Sequence, residues 1–161
     1  MITTKISIKP HLAEYVQGRF EAKEGCVRFP DKLDIYHTIW NLIEKRPIRC
    51  SRDFGNLVIV LPDRREGKSP ETYNYLGSRS QRIIEQNIEI MFWADLRSSI
   101  DYEHHANGSK YIETISAFMQ KYGIESISEE ALQKNYYRWR KKVRNQKKRA
   151  WIPKKVADQV Y

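Results

Sequence analysis

Apolar and polar positions alternate at the start of the chain. Ile6 and Ile8 fall on one side of Thr3–Lys9, the period-two pattern of a short half-buried strand. The period then lengthens. Leu12, Tyr15, Val16 and Phe20 recur at helical spacing behind Pro10, whose missing N–H costs nothing in a first helical turn. Glu24-Gly25 marks a turn, and Cys26–Phe29 reads as a second strand. Leu33, Tyr36, Ile39, Trp40 and Ile43 predict a helix over 32–45, capped by Asp31 or Asp34 and ended with the help of Pro47. Asn56–Leu61 is nearly all apolar and β-branched, which predicts a strand buried on both faces. Pro62–Pro70 is a charged loop rich in breakers.

The remainder reads as helical. Ile83, Ile84, Ile88, Met91, Phe92 and Leu96 give a long amphipathic helix over 78–101, and Asn107-Gly108 ends the region that follows. Ile112, Ile115, Phe118 and Met119 share one side of Tyr111–Tyr122, and Gly123 is placed to stop that helix in the left-handed conformation. Ile124–Ile127 connects it to a last helix capped by Ser128, with Glu129 and Glu130 in its positive first turn. The fold class is therefore α+β, with short N-terminal strands and helices followed by a mainly helical C-terminal half. Its organisation is an α+β body over 1–105 and a helical module over 110–161, either sharing one core or dividing near residues 105–110.

Composition narrows the class. The chain has 161 residues, 40% hydrophobic and 30% charged, enough for one domain or a domain with a small appendage. No apolar run reaches the ~18 residues of a transmembrane helix, and the N-terminus lacks the apolar core of a signal peptide. Two cysteines, Cys26 and Cys50, make no disulfide framework. Reduced thiols in a cytoplasmic protein are the expectation, nucleoid-associated if the chain binds DNA. The net charge is +9, but it is not spread evenly. Residues 1–133 hold 18 basic and 19 acidic residues, a net −1, whereas 134–161 hold 11 basic residues and one acid, a net +10. A general basic coat is excluded, and a local polyanion-binding device is indicated.

The last helix gives that charge a shape. At about 100° per residue, Leu132, Tyr136, Trp139 and Val143 form a stripe about 60° wide. Lys134, Arg138, Lys141, Asn145 and Lys148 occupy a band opposite it, with Tyr137, Arg140, Arg144 and Lys147 between the two and Arg149 extending the run. The stripe docks and the band is presented to solvent. Like charges at i, i+4 repel by a few tenths of a kcal/mol per pair. A polyanion removes that repulsion and releases counterions. Arginine also suits guanine edges, and Asn145 suits adenine. The competing reading is a solvated cationic face or a frayed tail. Against it stand the apolar stripe, the absence of acids between Lys134 and Lys155, and Tyr137 interleaved with the charges.

Residues 110–149 resemble a helix-turn-helix DNA-binding module. The resemblance implies that Tyr111–Tyr122 is a support helix and Glu129–Arg149 a recognition helix, commonly in a homodimer. Since the first turn is acidic and the positive residues begin at Lys134, lengthwise binding along phosphates stands open beside insertion into the major groove. The whole chain resembles uncharacterised proteins of bacterial mobile elements, a likeness that implies no activity.

Other constellations carry less. Gly67-Lys68-Ser69 follows a strong strand like the end of a P-loop, but Pro62 stands where the first glycine is needed. Pro62-Asp63 with Glu66-Gly67-Lys68 has the letters of a PD-(D/E)xK nuclease, yet Asp63 and Glu66 share one loop and only Asp31 is better spaced. An ion-paired loop is the favoured alternative there, and Arg64, Arg65 and Lys68 offer a second phosphate contact. His11, His37, His104 and His105 show no zinc spacing. Trp40, Trp93 and Trp139 fall on apolar stripes, and Trp151-Ile152-Pro153 reads as an anchor for the tail, on the body or on a second subunit. The sum is a non-enzymatic DNA-binding protein of regulatory (transcriptional) type, with no metal, cofactor or membrane partner. Its contacts are Lys134, Tyr137, Arg138, Lys141, Arg144, Asn145, Lys148 and Arg149. The alternatives are an interaction module for an acidic protein, RNA binding and, remotely, a metal-dependent nuclease.

Overall fold

Strands come first and helices close over them. The structure is a computed structural model that describes residues 1–20 and 22–151, and for Trp151 the backbone alone. In chain order the elements are β1 (Thr3–Ile6), α1 (Pro10–Arg19), β2 (Cys26–Val27), α2 (Asp34–Leu42), β3 (Glu44–Lys45), β4 (Leu57–Val60), β5 (Tyr73–Tyr75), α3 (Ser78–Asn107), α4 (Tyr111–Tyr122) and α5 (Glu129–Trp151). This is the α+β arrangement that the periodicities predict. No helix among the described residues is long and apolar enough to cross a membrane.

β4 is the centre of a three-stranded sheet, antiparallel to β1 and parallel to β2. Its continuous apolarity overstates its burial. Leu57 and Ile59 are fully buried under the helices, while Val58 and Val60 on the other face are half-buried. Only one face of this sheet meets a helical layer, so the other needs apolar residues without complete cover.

α2 differs from the helix expected over 32–45. It begins at Asp34 with Leu33 as its cap residue, so neither Asp31 nor Asp34 caps it with a side chain. It ends at Leu42, before Pro47, because Lys68 reaches back to it. The Lys68 ammonium donates to the carbonyls of Trp40 (3.1 Å), Asn41 (2.9 Å) and Ile43 (2.9 Å). The chain leaves extended at Ile43, and Glu44–Lys45 pairs with Tyr73–Tyr75 as a small antiparallel ribbon absent from the periodicity reading. Two- and three-residue strands are too short to show a period.

α3 is the axis of the molecule. Ile84, Ile88, Phe92, Leu96 and Ile100 recur every four residues and are all fully buried. The helix runs about a turn and a half past residue 101, to Asn107. One continuous core extends from Ile6 in β1 through Tyr15, Phe92 and Phe118 to Leu132 and Tyr136 in α5. Residues 105–107 are therefore the last turn of α3 and 108–110 the short connection to α4, with no gap in the packing between them. Glu14 of α1 adds a polar tie across it, accepting the backbone N–H groups of Glu125 (3.0 Å) and Ser126 (3.1 Å) and the Ser126 hydroxyl (2.8 Å). That tie fixes the connection Gly123–Ser128, and with it the start of α5.

Candidate nucleic-acid interface

α5 begins where its sequence says it should. The Ser128 hydroxyl accepts the Ala131 N–H at 3.2 Å, and Glu129 and Glu130 lie in the first turn. Leu132 and Tyr136 then enter the core, 0% and 1% exposed. Tyr136 donates its hydroxyl to Asp101 of α3 at 3.0 Å. Burial, then the bond to that carboxylate, push the Tyr136 phenol above its ordinary value. One turn further, half-buried Trp139 carries the Arg97 guanidinium 4.3 Å over its ring, and Arg97 also stands 5.5 Å over Trp93. Among the described residues Arg97 makes no ion pair and its buried Nε has no hydrogen bond, and burial lowers its pKa. The aromatic faces replace the carboxylate usual for such a charge. Arg140 donates to the Tyr111 hydroxyl and lies 5.3 Å over that ring.

These anchors hold α5 as far as Val143. From Arg144 to Ala150 every side chain is exposed. The helix has 23 residues, about 34 Å, and its last two turns project from the body. The candidate interface thus has two parts. In the docked part Lys134, Arg138 and Lys141 face away from the core, and Tyr137 beside them is 48% exposed. In the projecting part Arg144, Asn145, Lys148 and Arg149 are exposed, with Lys147, so cations ring the helix. Among the described residues none of these side chains makes an ion pair; the pairs that do form are Lys9–Glu89, Arg19–Asp95 and Arg46–Asp53.

The loop residues are organised differently. Arg64 lies 4.7 Å over Trp40 and 5.5 Å over Tyr36, and meets His37 Nδ1 at 2.5 Å. All three donors of Lys68 go to the end of α2. Arg65 alone is simply exposed. This loop is built onto α2, whereas α5 is built onto α3 and α4. The expected ion pairs within the loop do not form among the described residues; stacking and carbonyl capping take their place. Asp31, Asp63 and Glu66 are exposed, and among the described residues no three His, Cys, Asp or Glu side chains gather closely enough to hold a metal ion. Cys26 and Cys50 are free thiols, each half-buried. Ile152, Pro153 and the Trp151 side chain, the expected tail anchor, lie outside the described residues.

Periodicity reasoning missed the Arg97 sandwich and the Arg140–Tyr111 contact. The first has a local trace, since Trp93 and Arg97 are four apart on one helix. The second joins residues 29 apart and has none.

No protein-family model, no curated protein and no solved structure matches this chain. Its reading rests on its own geometry.

Proposed function

We propose that the chain is a DNA-binding protein, regulatory rather than catalytic, which lies along phosphates through α5. One observation carries this: Lys134, Arg138, Lys141, Arg144, Lys148 and Arg149 are exposed on a helix fixed to the body, with no acid after Glu130. From Lys134 to Lys148 the band is about 21 Å long. That is the axial length of about six phosphates of one DNA strand. α4 and α5 stand in for the support and recognition helices of a helix-turn-helix module. The acidic first turn and the six-residue connection Gly123–Ser128 favour lengthwise contact over insertion of the helix start between base edges. Asn145 is placed to reach a base once the phosphates are engaged.

Gel-shift titration on duplex DNA tests the reading. Binding at low salt, weakened at higher salt and further by Arg138→Ala combined with Lys141→Ala, is the expected result. Tight binding that ignores both substitutions would remove α5 from the interface, and no binding of either duplex or single-stranded DNA at low salt would remove the function.

A groove favours a second reading. Trp139, Val143, Arg144 and Lys147 line a depression of about 820 Å³ against Asp101 of α3, apolar below and cationic at the rim. An acidic amphipathic segment of a partner protein fits that chemistry. A purified complex that survives nuclease treatment is its mark.

A further inference from the structure

The phosphate band leaves the aromatic feature beside it unexplained. Where α3, α4 and α5 meet, His104, Ser109, Tyr111, Gln133 and Tyr137 surround a cleft of about 380 Å³. Its walls are rings. Tyr111 is 4.9 Å from His104 and 5.9 Å from Tyr137, centre to centre. Arg140, bonded to the Tyr111 hydroxyl and lying over its ring, holds that wall in place.

Tyr136 and Tyr137 are neighbours in sequence with opposite fates. Tyr136 is 1% exposed and spends its hydroxyl on Asp101. Tyr137 is 48% exposed and no hydrogen bond is formed by its hydroxyl among the described residues. The Tyr137 ring rests edge-on against Tyr111 (5.9 Å) and beside Tyr136 (6.2 Å), which steadies it while leaving about half of it open to solvent. Gln133, which offers both a donor and an acceptor, lines the same cleft one turn earlier on α5. Lys134, Arg138 and Lys141 lie within about a turn of Tyr137.

A ring open to solvent beside a line of cations has little to offer an intact duplex, whose bases are already stacked and paired. It suits an unstacked base, whose flat face it can cover while the cations hold the flanking phosphates. The volume falls within the range of small-molecule sites. Resting on the reading of α5 as the polynucleotide face, we propose that this cleft takes one unpaired nucleobase, stacked on Tyr137, and that the preferred partner is single-stranded DNA. The base lies on the open face of Tyr137 with Gln133 at its edge, and Tyr111, packed edge-on against Tyr137, and His104 line the side of the cleft.

The test is fluorescence anisotropy of a labelled 20-nucleotide oligothymidine and of a labelled 20-base-pair duplex, titrated with the full chain at low salt. The single strand binds more tightly. Tyr137→Ala weakens it about tenfold more than it weakens the duplex. Tyr137→Phe, which keeps the stacking face, restores most of the affinity. An oligothymidine carrying one 2-aminopurine loses emission on binding the unaltered chain and the Phe variant but not the Ala variant. Equal affinity for both nucleic acids, with Tyr137→Ala affecting them alike, overturns the cleft assignment while leaving α5 as the phosphate face. Binding to neither overturns both.

Discussion

Three side chains make this fold sensitive to acid. His11 packs against Phe92 with ring centres 5.6 Å apart, and burial, aided by Lys9, lowers its pKa despite Glu89, Glu14 and Glu85 nearby. The unfolded chain therefore takes up this proton first, and stability falls as the pH drops below the ordinary value of 6.5. Burial pushes the Glu14 carboxyl up, but the bonds from Ser126 and Glu125 outweigh it and hold its pKa below 4.5. The Arg46 guanidinium (3.0 and 2.7 Å), with help from Thr4, holds Asp53 below 3.8 against its burial. Stability from these two carboxylates is complete above their ordinary values and lost as the pH falls through their depressed ones. From a plateau at about pH 7–9, melting temperature should thus fall in two stages as the pH is lowered. His11→Gln should flatten the first stage and Glu14→Gln the part of the second below pH 4.5, as thermal melts across pH would record. Lys68→Met should cost about 1–3 kcal/mol in urea unfolding, because it strands three carbonyls at the end of α2.

At the scale of elements, close approach and stacking decide how α1, α4 and α5 sit. α1 crosses the end of α4 at Gly18, where an added Cβ would lie 2.3 Å from the Tyr122 carbonyl oxygen. Helix propensity alone says Gly18→Ala should stabilise by about 0.5–1 kcal/mol. The crossing reverses the sign, and chemical denaturation should show a loss of at least about 1 kcal/mol. Trp139→Ala should cost about 2 kcal/mol, less than a fully buried tryptophan, and should release Arg97 from its sandwich. The elements that carry these contacts were legible in the sequence to different degrees. The stripes of α3, α4 and α5 repeat within a few residues, so periodicity finds them, and Gly123 and Ser128 mark their ends by local chemistry. β3 and β5 pair across about 30 residues, and Lys68 bonds the early end of α2 from about 25 residues away; no local pattern encodes either reach. The exposed band of α5 followed from its spacing alone. The projection past Val143 had a local sign, since polar Gln146 and Lys147 stand where the next turn of the stripe would fall.

The whole molecule sets a nearly neutral body against a strongly basic end. Residues 134–161 carry +10 against −1 for the rest, and α5 holds much of that charge out from the surface. Such an arrangement attracts polyanions over a distance set by salt, about 10 Å at 0.1 M. It orients them before contact, since the excess positive charge is concentrated in one segment of the chain. Each cation that meets a phosphate releases about 0.9 counterion from duplex DNA and about 0.7 from a single strand. The six cations assigned to the phosphate contact, Lys134, Arg138, Lys141, Arg144, Lys148 and Arg149, set a slope of about −5 for log affinity against log salt on a duplex and about −4 on a single strand. The salt dependence of binding is therefore the most direct measure of the account. Anisotropy titrations at four or five salt concentrations should give a steep negative slope for the unaltered chain. Its magnitude should drop by about 2 when Arg138 and Lys141 are both changed to Ala. A slope near zero, or a steep one unmoved by those two substitutions, would contradict it.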